Sequence, residues 1–209
     1  MLSLEEAISQ RRSIRKFKPD PLNREIIDRL LESARLAPSG SNRQPWRFLV
    51  TTDPEEKKRL KEICLGQAFI EEAPVVFVCC ADLTAYSAAS RKARLQEYVG
   101  AGVLETLSGR FSDPSYRERA IAEPEPSEVL RSAMANVYIA IEHMVLTATS
   151  MGLGSCWVGA LGDEGEITGL FGLPDHIVPV IVLPVGYSDR VPPQRPRISM
   201  SEILLRPLE

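Results

Sequence analysis

Apolar side chains recur every three to four residues in several parts of the chain, and this period predicts amphipathic helices. The pattern predicts one helix over residues 3–11 and a second from the N-cap Asn23 to Pro38, which stops it. A third helix is predicted to start at Asp53, where proline follows the cap, and to reach about Cys64. The first part of the chain is therefore predicted to be largely helical.

The longest helix is predicted over residues 127–151, where apolar side chains cover most of the helix circumference. We expect this helix to be buried nearly all round. In one modest domain, a helix this apolar suggests that a second subunit covers part of it. Four polar or charged residues inside the helix argue against a simple membrane span.

Runs rich in β-branched and aromatic residues predict strands at 46–51, 75–80 and 177–185. The run at 75–80 is apolar throughout, as expected for a strand that is buried on both faces. Two prolines in the last run predict that this strand is bulged or lies partly at a sheet edge. A further strand, punctuated by glycines, is predicted over residues 152–159.

Residues 84–127 show no dominant period and contain a break rich in proline and glutamate. We expect a helical insertion in a single domain that spans residues 1–209. The insertion could serve as a lid over a pocket, or it could only fill space.

Composition excludes several classes. The 209-residue chain is 44% hydrophobic and carries a net charge of -3, so a globular domain is expected and nucleic-acid binding is disfavoured. No signal-like segment opens the chain, so a cytoplasmic location is expected, with no membrane partner. The four cysteines lack CxxC spacing, which is typical of reduced core residues, and the two histidines are too far apart in sequence to predict a metal site.

Against this mild acidity, residues 11–18 concentrate five positive charges. Cations at a helix C-terminus can simply offset the negative end of the helix dipole. Adjacent arginines with a hydroxyl can instead grip a phosphate or carboxylate. Both interpretations stay open on these residues alone.

No nucleophile–base pairing, phosphate-binding loop or strand-linked GxGxxG is evident. An anion site without an evident catalytic side chain suggests that a cofactor performs the reaction.

Five motifs, in order along the chain, carry a resemblance to a known family. They are RRSIRKF at 11–17, APSGSNRQPWRF at 37–48, APVVFV at 73–78, GLGSCW at 152–157 and the terminal Arg197. Together they resemble the nitroreductase family of flavoproteins over nearly the whole chain. The resemblance implies an α+β fold with a central mixed β-sheet surrounded by helices, and an intertwined homodimer with FMN at the subunit interface.

The resemblance also implies cofactor-binding residues near both ends of the chain. Arg11, Arg12 and Ser13 match ligands of the FMN phosphate and ribityl chain. Arg197 matches an arginine that returns to the same phosphate, with Arg195 as the neighbouring alternative. Arg15 matches a cation beside the isoalloxazine ring, where it should raise the flavin potential.

Two further segments match residues that contact the flavin ring. The first is a loop from the other subunit, with Pro38, Ser39, Gly40 and Asn42 at the ring and Gln44 in a more structural position. The second is a strand end whose backbone lies along the flavin, with an N–H near N5 or O4: Trp157, Val158 and Gly159. Trp157 could instead be an ordinary core residue.

The implied activity is a ping-pong transfer of hydride from NADH or NADPH, through flavin N5, to a nitroaromatic, quinone or activated alkene. No catalytic side chain is expected, because the flavin carries the chemistry. Acceptor choice should depend on the aromatic residues of the insertion: Tyr86, Tyr98, Phe111 and Tyr116. Two alternatives are a specialised enzyme of the same fold, such as a reductive dehalogenase or flavin destructase, and a non-catalytic FMN-storage protein.

Overall fold

The computed structural model describes residues 1–102, 113–115, 118, 122 and 124–206. Its helices are α1 Leu4–Gln10, α2 Arg24–Arg35, α3 Pro54–Ile63, α4 Phe69–Glu72, α5 Ala88–Gly100, α6 Pro126–Ser150, α7 Glu164–Phe171 and α8 Met200–Ile203. Its strands are β1 Trp46–Thr51, β2 Val75–Asp82, β3 Leu153–Ser155 and β4 Ile177–Tyr187. The predicted helices and strands are thus confirmed in kind, with shifts at their ends.

The strands form one sheet in the order β1-β2-β4-β3, and each neighbouring pair is antiparallel. The described strands are therefore all antiparallel, and the parallel pairing is a single isolated bridge between Ser13 of the amino-terminal segment and Ser155. The Ile14 N–H donates to the Ser155 carbonyl at 2.9 Å. Residues just after α1 therefore lie along the free side of β3.

Strand β2 is buried along its whole length, as its continuous apolar run predicts. Alternate side chains of a strand point to opposite faces of the sheet. On one face Phe77 and Cys79 pack in a core with α2 and α6, whereas Val76 and Val78 pack on the other face with α3 and α7. The sheet therefore lies between two helical layers.

The bulge predicted from the prolines of β4 is confirmed, and so is a partial edge position. Between β2 and β4 the register changes so that Cys79 faces Ile181 and Cys80 faces Pro179, leaving one extra residue in β4. The bulge accommodates a proline that cannot donate to the ladder. Among the described residues β3 pairs only with Val185–Tyr187 and Val158 with Val182, so the amino-terminal part of β4, which contains Pro179, pairs only with β2 and lies at an edge.

Two predicted segments differ in extent from the structure. The strand expected over 152–159 is limited to Leu153–Ser155, and beyond it Val158 forms an isolated bridge with Val182. Helix α6 buries only part of its circumference, and three large apolar side chains remain exposed: Leu130, Tyr138 and Ile139. One chain therefore buries this helix only in part, and the expected cover by a second subunit stays a prediction.

By length and composition, α6 is the helix within the described ranges that could cross a membrane. It contacts α1, α2 and all four strands of the sheet, and its buried side chains contribute to the core that α2 and the sheet share. These contacts place α6 at the centre of the fold.

Candidate cofactor site

A cavity of about 180 Å³ lies where segments from the two ends of the chain meet. Residues 192–194 form part of its wall. The remaining lining residues are those that the resemblance assigns to the FMN phosphate and ribityl chain, with Arg195 as the alternative to Arg197, and to the flavin ring, which is the position of Arg15. They are Arg11, Arg12, Ser13, Arg15, Arg195 and Arg197. The structure thus brings together five arginines that are up to 186 positions apart in the sequence.

Backbone pairing and one buried side chain hold the amino-terminal segment in place. The Lys18 N–H donates to the Tyr187 carbonyl and the Asp189 N–H to the Lys16 carbonyl, both within 3.0 Å. Ile14 is 3% exposed and lies directly over Gly154, where an added Cβ would clash with it. Glycine at 154 therefore lets the arginine-bearing backbone approach the sheet.

The arginines are bonded mainly to backbone oxygens rather than to carboxylates. Arg12 Nη1 donates to the Ser9 and Arg11 carbonyls, each at 2.8 Å, and Arg197 Nη1 donates to the Arg195 carbonyl at 3.3 Å. Arg11 Nε lies 4.0 Å from Glu142, at the limit of an ion pair. Among the described residues that line the cavity there is no carboxylate.

The helix-end interpretation explains only part of this arrangement. Ser9 is in the last turn of α1, so its bond to Arg12 does satisfy a terminal carbonyl. Arg195 and Arg197 come from the far end of the chain and cannot serve α1 in that way. Gathering five cations in one cavity is unfavourable unless an anion offsets their repulsion, so the cavity fits a phosphate group.

The segment that follows β3 extends the same surface. Val158 is buried, and both its N–H and its carbonyl pair with Val182 at 3.0 and 3.1 Å. Its N–H is therefore committed to the sheet, which argues against Val158 as a donor to a flavin. Successive N–H groups of an extended segment point to opposite sides. Those of Trp157 and Gly159 therefore point away from β4, towards the side on which Ser155 pairs with Ile14.

Of these two residues, Gly159 is exposed and Trp157 is half-buried. The indole ring of Trp157 packs against Tyr138 of α6 with centroids 5.9 Å apart. In the described part of the chain neither N–H has an acceptor. Trp157 therefore combines packing of its side chain with an available backbone donor.

The loop at residues 38–44 lies outside the arginine cavity. The Gly40 N–H donates to Asn136 Oδ1 at 3.0 Å, and the Gln44 N–H donates to Ser39 Oγ at 2.9 Å. Asn42 has a positive φ of 50°, and the Gln44 side chain donates to its carbonyl at 3.3 Å. One protomer therefore holds this loop in a defined shape, with Pro38 exposed, but does not bring it to the arginines.

The four aromatic residues of the insertion have different outcomes. Tyr86 is 5% exposed, its hydroxyl accepts from Asn136 Nδ2 at 2.6 Å, and burial raises its pKa. Tyr98 is half-buried on α5. Phe111 and Tyr116 lie outside the described residues. Tyr86 lines a cavity beside Gly40, so it remains a candidate for substrate contact.

Sequence reasoning missed two features near that loop. Asn136, a polar residue in an apolar helix, links the loop to Tyr86. Arg43, Arg47 and Arg94 line a second basic cavity of about 270 Å³. The available signal was a pair of arginines four residues apart, Arg43 in the polar loop and Arg47 in the strand that follows it, with further arginines on α5.

The chain matches known proteins along most of its length. The family model described as "Nitroreductase family" matches residues 8–187. A protein of Thermus thermophilus named NADH dehydrogenase is 34% identical over 203 residues, which cover 93% of this chain and 95% of that protein. A Bacillus subtilis protein named FMN reductase (NADPH) is 30% identical, covering 92% of this chain and 69% of the relative.

Solved structures share the fold. The NfrA1 nitroreductase from Bacillus subtilis superposes with a TM-score of 0.75 at 28% identity, over 97% of this chain and 73% of that one. A protein of Exiguobacterium sibiricum, solved in complex with FMN, gives a TM-score of 0.80 at 24% identity, over 98% and 97% of the two chains. At that level of identity the second likeness supports the fold alone.

Proposed function

Because the chain belongs to the nitroreductase family, we propose that it is an oxidoreductase that binds FMN and takes electrons from NADH or NADPH. Relatives at 30% and 27% identity are named FMN reductases, with NADPH and NAD(P)H as their donors. The observation that carries the proposal for this chain is the arginine cavity, whose donor set fits the phosphate of FMN.

Residues from both ends of the chain would hold the phosphate. Arg11, Arg12 and Ser13 would donate from the amino-terminal segment, and Arg197 with its neighbour Arg195 would donate from the tail. Guanidinium groups bind phosphate oxygens through paired, charge-assisted hydrogen bonds. Arg15 would add a cation beside the ring system, where negative charge develops on reduction.

When bound, FMN supplies the redox chemistry by accepting a hydride at N5 and returning electrons to an acceptor. The backbone N–H groups of Trp157 and Gly159 would orient the ring from the edge of the sheet. No side chain of the described protein is needed as a proton donor. We propose that donor and acceptor use one slot in turn, with a nitroaromatic, quinone or activated alkene as the acceptor.

A second copy of the chain would complete the site. The loop at 38–42 is preformed but lies away from the arginine cavity of its own chain, so it would reach the flavin of the other copy. Exposed apolar side chains support this proposal, since a dimer could bury them: Leu4, Ile8 and Leu36 lie beside a groove of about 680 Å³. Leu130, Tyr138 and Ile139 of α6 add to this surface.

Anaerobic titration of the purified protein tests the proposal. The protein should bind FMN, lose its visible flavin absorbance on addition of NADH or NADPH, and recover it when an acceptor is added. Light scattering on the same sample should give the mass of a dimer. Bound FMN that neither nucleotide reduces would favour storage over catalysis, and absence of FMN binding would contradict the proposal.

A further inference from the structure

A second group of arginines lies next to the loop at 38–42. Arg43 follows the loop, Arg47 is in β1, and Arg94 is on α5; all three line the cavity of about 270 Å³. The Asp82 carboxylate also lines this cavity, with the hydroxyl groups of Thr84 and Ser90, which donate to Asp82 Oδ1 and to the Thr84 carbonyl. The three guanidinium groups are therefore the donors of this cavity that suit a phosphate group.

Two of the three arginines already have carboxylate partners. Arg47 Nη2 lies 2.5 Å from Asp82 Oδ2, and Asp82 also accepts from the Thr84 N–H at 2.9 Å. Arg94 pairs with Glu97 one turn along α5, at 2.6 Å. These pairs fix the positions of the two guanidinium groups at the cavity wall.

Arg43 differs from them. Its guanidinium stacks on the Tyr86 ring at 4.8 Å and donates a long hydrogen bond of 3.4 Å to the Ala85 carbonyl. Within the described ranges it forms no ion pair with a carboxylate. Burial, and then the charge of Arg91, lower the pKa of Arg43, so an anion placed beside it would relieve an unfavourable charge.

The position of Arg43 connects two cavities. It lines the basic cavity and also a neighbouring cavity of about 360 Å³, whose wall includes Gly40 and Tyr86. If the 38–42 loop meets the flavin of a second copy, as the proposed function holds, the larger cavity opens beside the reacting ring. The basic cavity then lies one side chain further out.

We propose that Arg43, Arg47 and Arg94 bind a phosphate group of the nicotinamide dinucleotide donor. This inference rests on the proposed function for the identity of the ligand. Both donors carry a diphosphate, and NADPH carries an additional 2′-phosphate. Either group has the charge and oxygen acceptors that the cluster can bind.

Calorimetric titration with 2′,5′-ADP and 5′-ADP tests this site without any redox reaction. Arg43→Gln and Arg94→Gln should each weaken binding of at least one probe roughly tenfold, as expected for a lost charge-assisted hydrogen bond. Binding by the wild type should also weaken with added salt, since the cavity is open to solvent. Arg59→Gln is the matched control, because Arg59 is exposed on α3 and pairs only with Glu62 among the described residues.

The two probes distinguish the source of the phosphate. A loss confined to 2′,5′-ADP would assign the cluster to the 2′-phosphate, and an equal loss for both would assign it to the diphosphate. Arg43→Lys should restore part of the binding, because it keeps the charge but not the planar fork. The inference is overturned if the wild type binds neither probe, or if both variants bind both probes as the wild type does.

Flavin binding, recorded on the same samples, separates this inference from the proposed function. The arginine variants should bind FMN as tightly as the wild type, because their side chains lie outside the phosphate cavity. A wild type that fails to bind FMN would contradict the proposed function. The probe titrations would still report on the cluster, since its three arginines belong to one chain.

Discussion

The arginine cavity at 11–15 and the loop region at 38–47 are both rich in cations, but they hold them differently. In the first region the described lining contains arginines and no carboxylate, on extended backbone from both ends of the chain. In the second, Arg47 pairs with Asp82, and Asn136 bonds to both the loop and Tyr86.

The difference is one of charge balance. Paired cations stabilise a fixed shape, and their function can be structural. Unpaired cations gathered in a cavity require a ligand to offset their repulsion. The first region is therefore predicted to bind the FMN phosphate. In the second region Arg47 is held in position by its carboxylate partner, and Arg43, which forms no ion pair with a carboxylate among the described residues, departs from this rule.

Removing charge from the arginine cavity should have the largest effect. The double variant Arg12→Ala with Arg197→Ala should weaken FMN binding roughly 100-fold or more, since each charge-assisted hydrogen bond contributes about 1.5–3 kcal/mol. Quenching of flavin fluorescence measures the affinity. Arg24→Ala, which removes an exposed arginine paired with Asp28 on α2, should bind FMN normally. Normal affinity in the double variant would place the phosphate elsewhere.

Displacing the backbone of the cavity should have the next largest effect. In Gly154→Ala the new methyl group would overlap Ile14, so the variant should lose about 1–3 kcal/mol of stability and bind FMN more weakly. Urea unfolding gives the stability. Gly169→Ala is the control, because its Cβ meets open space on helix α7. Equal stability of the two variants would show that Ile14 does not hold the segment.

Loosening the loop should have a smaller effect, and it should lower stability rather than FMN affinity. Asn136→Ala removes the acceptor of the Gly40 N–H and the partner of the Tyr86 hydroxyl, so stability should fall by about 1–2 kcal/mol. Because Asn136 is not in the arginine cavity, FMN affinity should change far less than in the double arginine variant. A loss of FMN affinity as large as that of the arginine variant would show that the loop region and the arginine cavity contribute to FMN binding in the same way.

The smallest expected effect is a loss of stability at alkaline pH. Burial raises the pKa of Cys64 from its ordinary 9.0 to about 11. The unfolded chain therefore loses this proton first, so the Cys64 contribution to stability is complete below about pH 9 and is lost as pH rises towards 11. Urea midpoints measured across this range should fall less for Cys64→Ala than for the wild type. Identical pH profiles would contradict a buried, protonated Cys64.

Local patterns predicted the fold well where burial depends on one chain. The continuous apolar run of β2 is buried on both faces because helices cover both sides of the sheet. The proline-containing β4 was harder, since Pro179 lies both beside a bulge and in a part of β4 that pairs on one side only among the described residues, and proline alone cannot distinguish the two cases. The exposed residues of α6 have the same kind of cause: their pattern reflects a surface that one chain leaves open.

The site was predictable only in part. The resemblance to a family predicted that Arg11 and Arg197 lie at the same phosphate, and the structure has both in one cavity. Local periodicity could not predict this for residues so far apart in the sequence. The resemblance did not say which residue of the segment 157–159 offers its N–H, because the pairing of Val158 with Val182 depends on the position of β4. Arg43 gave no signal beyond its charge, because its lack of a carboxylate ion pair among the described residues is a property of the folded structure.

Comparing FMN with riboflavin tests the central claim most directly, because the two ligands differ only in the phosphate. The wild type should bind FMN roughly 100-fold or more tightly than riboflavin, and the double variant Arg12→Ala with Arg197→Ala should bind the two with similar affinity. Equal affinities in the wild type, or the same weakening of both ligands in the variant, would contradict a phosphate site built from the two ends of the chain.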